Sequence, residues 1–277
     1  MRIIVGVLLL PLLFIVLFFA PGWVLAAAIS LISALSVWEL LGGVGLAQKR
    51  LIAYAAVFAA AVPVYVYIES ASLLYQALPL AGIALFLMLL FAEAVINYGK
   101  ISFAQIGMVF SSAFCIPFFL SSLIRIMAHD AGEYLIMIPF IAAFLGDTCA
   151  MFSGLLWGKK KLTPVSPNKT VAGAAGGLAG VVLGMAAYYG IIVAFFDRPY
   201  SMGSMVFICL VCGLPGAIAA QLGDLSMSLI KREFEIKDFG KIFPGHGGVL
   251  DRFDSLLFAA PVIEVLLVLL PAIEVLI

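Results

Sequence analysis

The residues best suited to chemistry crowd into one stretch, Ser228 to Ser255, SLIKREFEIKDFGKIFPGHGGVLDRFDS. Its 28 positions hold five of the fifteen Lys and Arg, and five of the fifteen Asp and Glu, of a chain that is only 11% charged. Asp251 and Asp254 bracket Arg252, and Asp224 lies just upstream. Carboxylate oxygens of this kind suit a hard cation such as magnesium, which binds through one or two carboxylates and completes its shell with substrate phosphates. A second metal ion clamping a phosphoryl centre also fits, with Asp147 as a further ligand. Lys231, Arg232, Lys237, His246 and Arg252 supply enough positive charge to hold a polyphosphate. Pro244, Gly245, Gly247 and Gly248 surround His246, and the glycines there let backbone N–H groups approach closely. No GxxxxGK followed by Ser or Thr is present, so this is not a Walker phosphate loop.

The elements that must carry these groups are membrane helices. The 277 residues are 65% hydrophobic with a mean hydropathy of +1.23, far outside the range of soluble domains. A bilayer core needs about 20 apolar residues per helix. On that measure the expected fold is all-α and polytopic, with about nine spans near 3–19, 23–46, 51–68, 72–97, 101–127, 133–158, 171–196, 203–230 and 255–277. Residues 1–130 then form an N-terminal set of five spans. Residues 131–277 form a catalytic set of four, with cytoplasmic loops at 159–170 and 231–254.

Basic residues accumulate in cytoplasmic loops. With the N-terminus inside, thirteen of the fifteen Lys and Arg fall on the cytoplasmic side and only Arg125 and Arg198 outside, which predicts an external C-terminus. An N-terminal signal peptide is the alternative reading of the first span. Cys209 and Cys212 form a CxxC inside an apolar helix without nearby His, which reads as inert buried thiols.

Within the spans, Asp147 lies about ten residues before Lys159 to Lys161 and requires a partner, since an unpaired intramembrane carboxylate costs several kcal/mol. Ala150 and Gly154 admit a close neighbour on a nearby face. Lys159 to Lys161 read as an anchor for anionic lipid. Ser166, Lys169 and Thr170, in SPNKT ahead of a glycine-rich helix, could meet a phosphate. Gly173, Gly176, Gly177, Gly180 and Gly184 predict tight packing, either within the chain or in a homodimer. Gln221, Asp224, Ser228 and Lys231 recur at intervals of three, four and three, so they share one helical face. Glu39 and Glu93 fall near the cytoplasmic ends of their helices, and Glu264 has no assigned role.

The long stretch closely resembles the signature of the phosphatidate cytidylyltransferases, or CDP-diacylglycerol synthases. That signature reads S, x, apolar, K, R, then K, D, x, G, then P, G, H, G, G, then D, R, x, D, and every position is filled here. GDTCAMFSGLLWGKKK and SPNKT resemble the second region of that family, which usually continues SPKKT, Trp, Glu, Gly. Here Asn168, Val171 and Ala172 depart from it.

The resemblance implies formation of CDP-diacylglycerol and pyrophosphate from CTP and phosphatidate in a cell (inner) membrane, with the site facing the cytoplasm. Implied catalytic residues are Asp224, Asp251, Asp254 and His246, the last binding phosphate ahead of acting as a base. Ser166, Lys169, Thr170, Ser228, Lys231, Arg232, Lys237, Gly247, Gly248 and Arg252 are the expected substrate contacts. Asp224, Asp251 and Asp254, with Asp147, are the expected magnesium ligands. No nucleic-acid partner is expected. A CDP-alcohol phosphotransferase is disfavoured because its DGxxAR opening is absent, while a transporter would run ions past Asp147, Asp224 and Glu264.

Overall fold

The computed structural model describes residues 14–68, 73–129, 132–196, 209–242 and 247–269. Seven helices among them are long and apolar enough to cross a membrane, and they correspond to the second through eighth expected spans. The first expected span falls largely outside the described residues, as do His246 and Glu274. The described chain is helical, with an isolated antiparallel bridge pairing Lys161 and Thr170, and the protein is an all-α polytopic membrane protein. It divides into two units, Met1–Ile124 with Ile236–Arg252, and Arg125–Glu235 with Phe253–Ile277. The charged loop after residue 235 therefore belongs with the N-terminal helices.

The first unit contains α1 (Gly22–Gly43), α2 (Lys49–Ile68), α3 (Leu73–Ile96) and α4 (Phe103–Leu120). Buried Leu25, Ala26, Ile29, Ser33, Val37 and Leu40 trace the inner face of α1, which packs on α2 and α4. Phe86 of α3 stacks on Phe58 of α2 with ring centroids 4.5 Å apart. A capping box starts α4: Ser102 Oγ accepts the Gln105 N–H, and Gln105 Oε1 accepts the Ser102 N–H. The helix ends three residues past Pro117, and Ser121 Oγ donates to the Pro117 carbonyl at the break before α5 (Ser122–Met127). The irregular segment from Ile236 docks at the end of α1. Phe239 is buried there, and a Cβ on Gly43 would lie 3.1 Å from its carbonyl oxygen.

The second unit is built from α6 (Gly132–Leu135), α7 (Met137–Phe140), a π-helical turn over Ile141–Leu145, and α8 (Gly146–Trp157). There follow α9 (Val171–Phe196), a second π turn over Cys209–Gly213, and α10 (Leu214–Glu233). The last helix, α11, spans Leu250–Leu269, so Asp251 and Asp254 sit inside a helix rather than in the preceding loop.

Small residues set the closeness of this unit. A Cβ on Gly173 would lie 2.8 Å from the Ala150 carbonyl, and one on Gly177 would lie 3.1 Å from the Ala150 Cβ. Cβ atoms on Gly176, Gly180 and Gly184 would likewise meet Ser153, Cys149 and Leu145. The glycine face of α9 is thus occupied by α8 and the π turn of the same chain.

Candidate active site

In the second unit the polar stripe of α10 points inward. Gln221 Nε2 donates to the Ala174 carbonyl of α9 at 3.1 Å, Asp224 forms an ion pair with Lys169, and Ser228 Oγ donates to Asp224 Oδ1 at 3.4 Å. The period-3.6 spacing read from the sequence therefore describes a face whose polar groups pair with α9, with Lys169 and with one another. Lys169 reaches Asp224 because its loop folds back on itself. The Lys169 N–H donates to the Ser166 carbonyl at 3.0 Å, Leu162 N–H to the Lys169 carbonyl, and Val171 N–H to the Lys160 carbonyl. Pro164 and Pro167 keep this hairpin out of either helix. Arg232 Nε donates to the Val165 carbonyl at 3.4 Å and ties the hairpin to the end of α10.

Thr170 closes the hairpin and starts α9. Its Oγ1 accepts the Gly173 N–H at 3.0 Å, a helix N-cap, and it is buried. Gly158 is small for the same reason, because a Cβ there would lie 2.7 Å from that hydroxyl. Among the other sequence-derived contacts of this unit, Ser166 and Lys231 are half-buried, and Arg232 is exposed.

Two further carboxylates face the same region of the unit. Asp147 Oδ2 accepts the Ser255 hydroxyl at 2.8 Å, and the buried Asp254 accepts the Ser255 N–H at 2.8 Å. Asp224, Lys231 and Asp147 all lie close enough to Asp254 to act on its charge. The crossing of α10 and α11 enforces this proximity: a Cβ on Gly223 would lie 2.6 Å from the Asp254 carbonyl oxygen. Three carboxylates thus share a half-buried region with Lys169 and Lys231. Like charges at short range oppose ionisation of one another unless cations join them.

Among the described residues, no three His, Cys, Asp or Glu side chains are arranged to hold a metal ion by themselves. The donor chemistry fits magnesium in its usual phosphate-bound mode, with one or two carboxylates and the remaining positions left for water and substrate oxygens. In this unit Asp224 and Asp254 offer such carboxylates, and Asp147 is bonded to Ser255.

In the first unit, Asp251 Oδ2 accepts two backbone N–H groups, from Phe239 at 3.0 Å and Gly248 at 2.9 Å. The carboxylate thereby pins both ends of the irregular segment to the first turn of α11. Gly247 adopts φ +83°, a conformation open to glycine, and a Cβ there would also lie 2.9 Å from Asp251 Oδ2. Lys237 and Arg252 are exposed, and Gly248 is buried.

Two pairings escape a local reading of the sequence. Glu39 of α1 accepts the Leu250 N–H at 3.0 Å across 211 residues. Arg125 and Glu264 form a two-pronged ion pair, with Arg125 Nη2 to Glu264 Oε2 at 2.9 Å and Nε bonded to Oε1. That pairing supplies the counter-charge for Glu264. The available signal was that an intramembrane carboxylate demands a partner, and Arg125 was the remaining cation of the spans.

A family model described as "Cytidylyltransferase family" matches residues 1–270. The chain belongs to the cytidylyltransferase family. It is 37% identical over 171 residues to a protein of Rickettsia bellii (strain RML369-C) named phosphatidate cytidylyltransferase, covering 60% of this chain and 70% of that one. Proteins of the same name from Staphylococcus saprophyticus and Staphylococcus aureus (strain COL) are 40% and 41% identical over 142 residues. That match takes in 50% of this chain and 51% of each staphylococcal protein, so the chain spans about half their length.

Proposed function

We propose that this protein is a phosphatidate cytidylyltransferase that makes CDP-diacylglycerol and pyrophosphate from CTP and phosphatidate in phospholipid biosynthesis. The observation that carries the reading is the family match over residues 1–270, joined to a carboxylate and lysine cluster in a multi-pass membrane protein. A phosphatidate oxygen forms the new bond to the CTP α-phosphorus. The bond from that phosphorus to the β-phosphate bridging oxygen breaks, and pyrophosphate leaves with the electron pair. The lipid phosphate is already ionised near neutral pH and needs little help from a base. Positioning and charge stabilisation then carry most of the catalysis.

Magnesium, when bound, would offset the charge on the departing pyrophosphate. Asp224 and Asp254 are its proposed protein ligands, with Asp147 in reserve and Asp251 three residues before Asp254 on α11. Lys169 and Lys231 hold phosphate oxygens. Lys169 would exchange its Asp224 partner for substrate as a cation takes over the carboxylate. Arg232, Lys237, Arg252 and His246 are proposed as outer phosphate contacts. Ser166 and Ser228 supply hydroxyls, and Gly247 and Gly248 supply backbone N–H groups. The thirteen-to-two distribution of basic residues supports a site open to the cytoplasm, and the proposed inner-membrane location rests on the resemblance to the phosphatidate cytidylyltransferases.

The test is the fate of two labels with purified protein, phosphatidate and magnesium. Label in the α-phosphate must appear in extractable lipid, and label in the γ-phosphate must appear in pyrophosphate, both dependent on phosphatidate and abolished by EDTA. Release of γ-label as orthophosphate, with no lipid product, would mean nucleotide hydrolysis and would reject the reading.

A further inference from the structure

We infer that Glu39 of α1 is a positioning residue for the reaction, acting on the Gly240 to Asp251 segment of the first unit. The inference rests on the proposed cytidylyl transfer. Glu39 is 5% exposed, and its Oε2 accepts the N–H of Leu250, the first residue of α11. A carboxylate at that place satisfies a donor that has no partner within the helix and meets the positive end of the helix dipole. The helix start is therefore held by a side chain from a distant span.

The surrounding glycines are fitted to this carboxylate. A Cβ on Gly240 would collide with the Glu39 side chain, and so would a Cβ on Gly248. Neither glycine has positive φ, so conformational freedom does not account for them. Their smallness makes room for Glu39. Asp251, whose charge acts on Glu39, holds Phe239 and Gly248 from the opposite side of the same segment. Glu39 and Asp251 together clamp the segment from α1 and from α11. Glu39 Oε1 has no hydrogen-bond partner in the described residues, a cost tolerated in exchange for this contact.

The consequence is a specific kinetic pattern. Removing Glu39 frees the start of α11 and lets Asp251 move with the segment, while Asp224, Asp254, Lys169 and Lys231 of the second unit are untouched. Glu39→Ala is expected to lower kcat about 100-fold, the order that a displaced reacting group costs, with KM for CTP and phosphatidate little changed. Glu39→Gln keeps an acceptor oxygen of the same reach and is expected to recover most of kcat. Gly240→Ala is expected to imitate Glu39→Ala. The double variant Gly240→Ala with Glu39→Ala should be no worse than either single variant, because the collision is gone.

The experiment measures lipid labelling from CTP for these four variants beside wild type in one detergent preparation. Wild-type labelling is read first, and its absence would defeat the transfer reading rather than this inference. With wild type active, a Glu39→Ala variant within about twofold of wild-type kcat overturns the inference. So do Gly240→Ala and Glu39→Ala losses that multiply in the double variant, since independent effects add as free energies. Should Glu39→Ala not fold, Glu39→Gln against Gly240→Ala still decides the matter. Retained kcat in the first with loss in the second supports the clamp, and equal loss in both rejects it.

Discussion

Deleting one member of the Arg125 and Glu264 pair should destabilise the protein far more than deleting both. The two side chains are 27% and 15% exposed and joined by two hydrogen bonds, so they are mostly shielded from water. Two unit charges about 4 Å apart attract by roughly 4 kcal/mol at an effective dielectric near 20. Stranding one charge by removing its partner costs about 3–5 kcal/mol in a buried setting. The partial exposure of Arg125 argues for the lower end, about 3 kcal/mol for Glu264→Leu. For a chain of this size that corresponds to a fall of roughly 6–12 °C in Tm. Replacing both, as Arg125→Met with Glu264→Leu, removes the desolvated charges together and should recover most of the loss. Cys212 is fully buried, so in a background lacking the other three cysteines its labelling by a thiol-reactive fluorophore reports unfolding in detergent. A single variant within about 2 °C of wild type, or a double variant less stable than Glu264→Leu, would refute the reasoning.

Three other outcomes follow from particular contacts. Thr170→Val keeps the shape and loses the cap on α9, so it should cost about 1 kcal/mol and lower Tm by a few degrees, while Thr170→Ser should cost much less. Gly176→Ala drives a methyl into Ser153 and should cost about 1–3 kcal/mol, whereas Gly190→Ala, with open space around it, should be neutral or stabilising in the same thermal assay. Lys169→Met with Asp224→Asn removes a proposed phosphate contact and a proposed metal ligand together, so the double variant should stay at least about 100-fold below wild type in lipid labelling. Recovery of activity in that double variant would mean that Asp224 serves only to neutralise Lys169.

The spans were legible because composition fixes them: the membrane demands a long apolar helix, and expected spans such as 51–68 and 171–196 lie within two residues of α2 and α9. The α10 stripe was legible because helical spacing alone aligns Gln221, Asp224, Ser228 and Lys231. Thr170 could also have been read as a cap, since it stands immediately before the helix it starts. Glu39 is different. Its partner lies 211 residues away, and no local pattern distinguishes a carboxylate that caps a distant helix from one that reaches the interface. The glycines of the loop carry a second meaning of the same kind. They suggest backbone access for a phosphate, and Gly240 and Gly248 also stand where a Cβ would collide with Glu39. The π turn over Ile141–Leu145, which sets the register of the helix bearing Asp147, likewise has no compositional mark.

Transfer of α-phosphorus label from CTP into organic-extractable lipid, by wild-type protein and by Asp224→Asn in parallel, tests the central claim most directly. The account predicts phosphatidate-dependent and magnesium-dependent labelling by wild type, and a loss of at least about 100-fold in a variant that remains folded. Undiminished labelling by Asp224→Asn would contradict the assignment of the α10 carboxylate to catalysis. No labelling by well-folded wild-type protein would contradict the transfer itself.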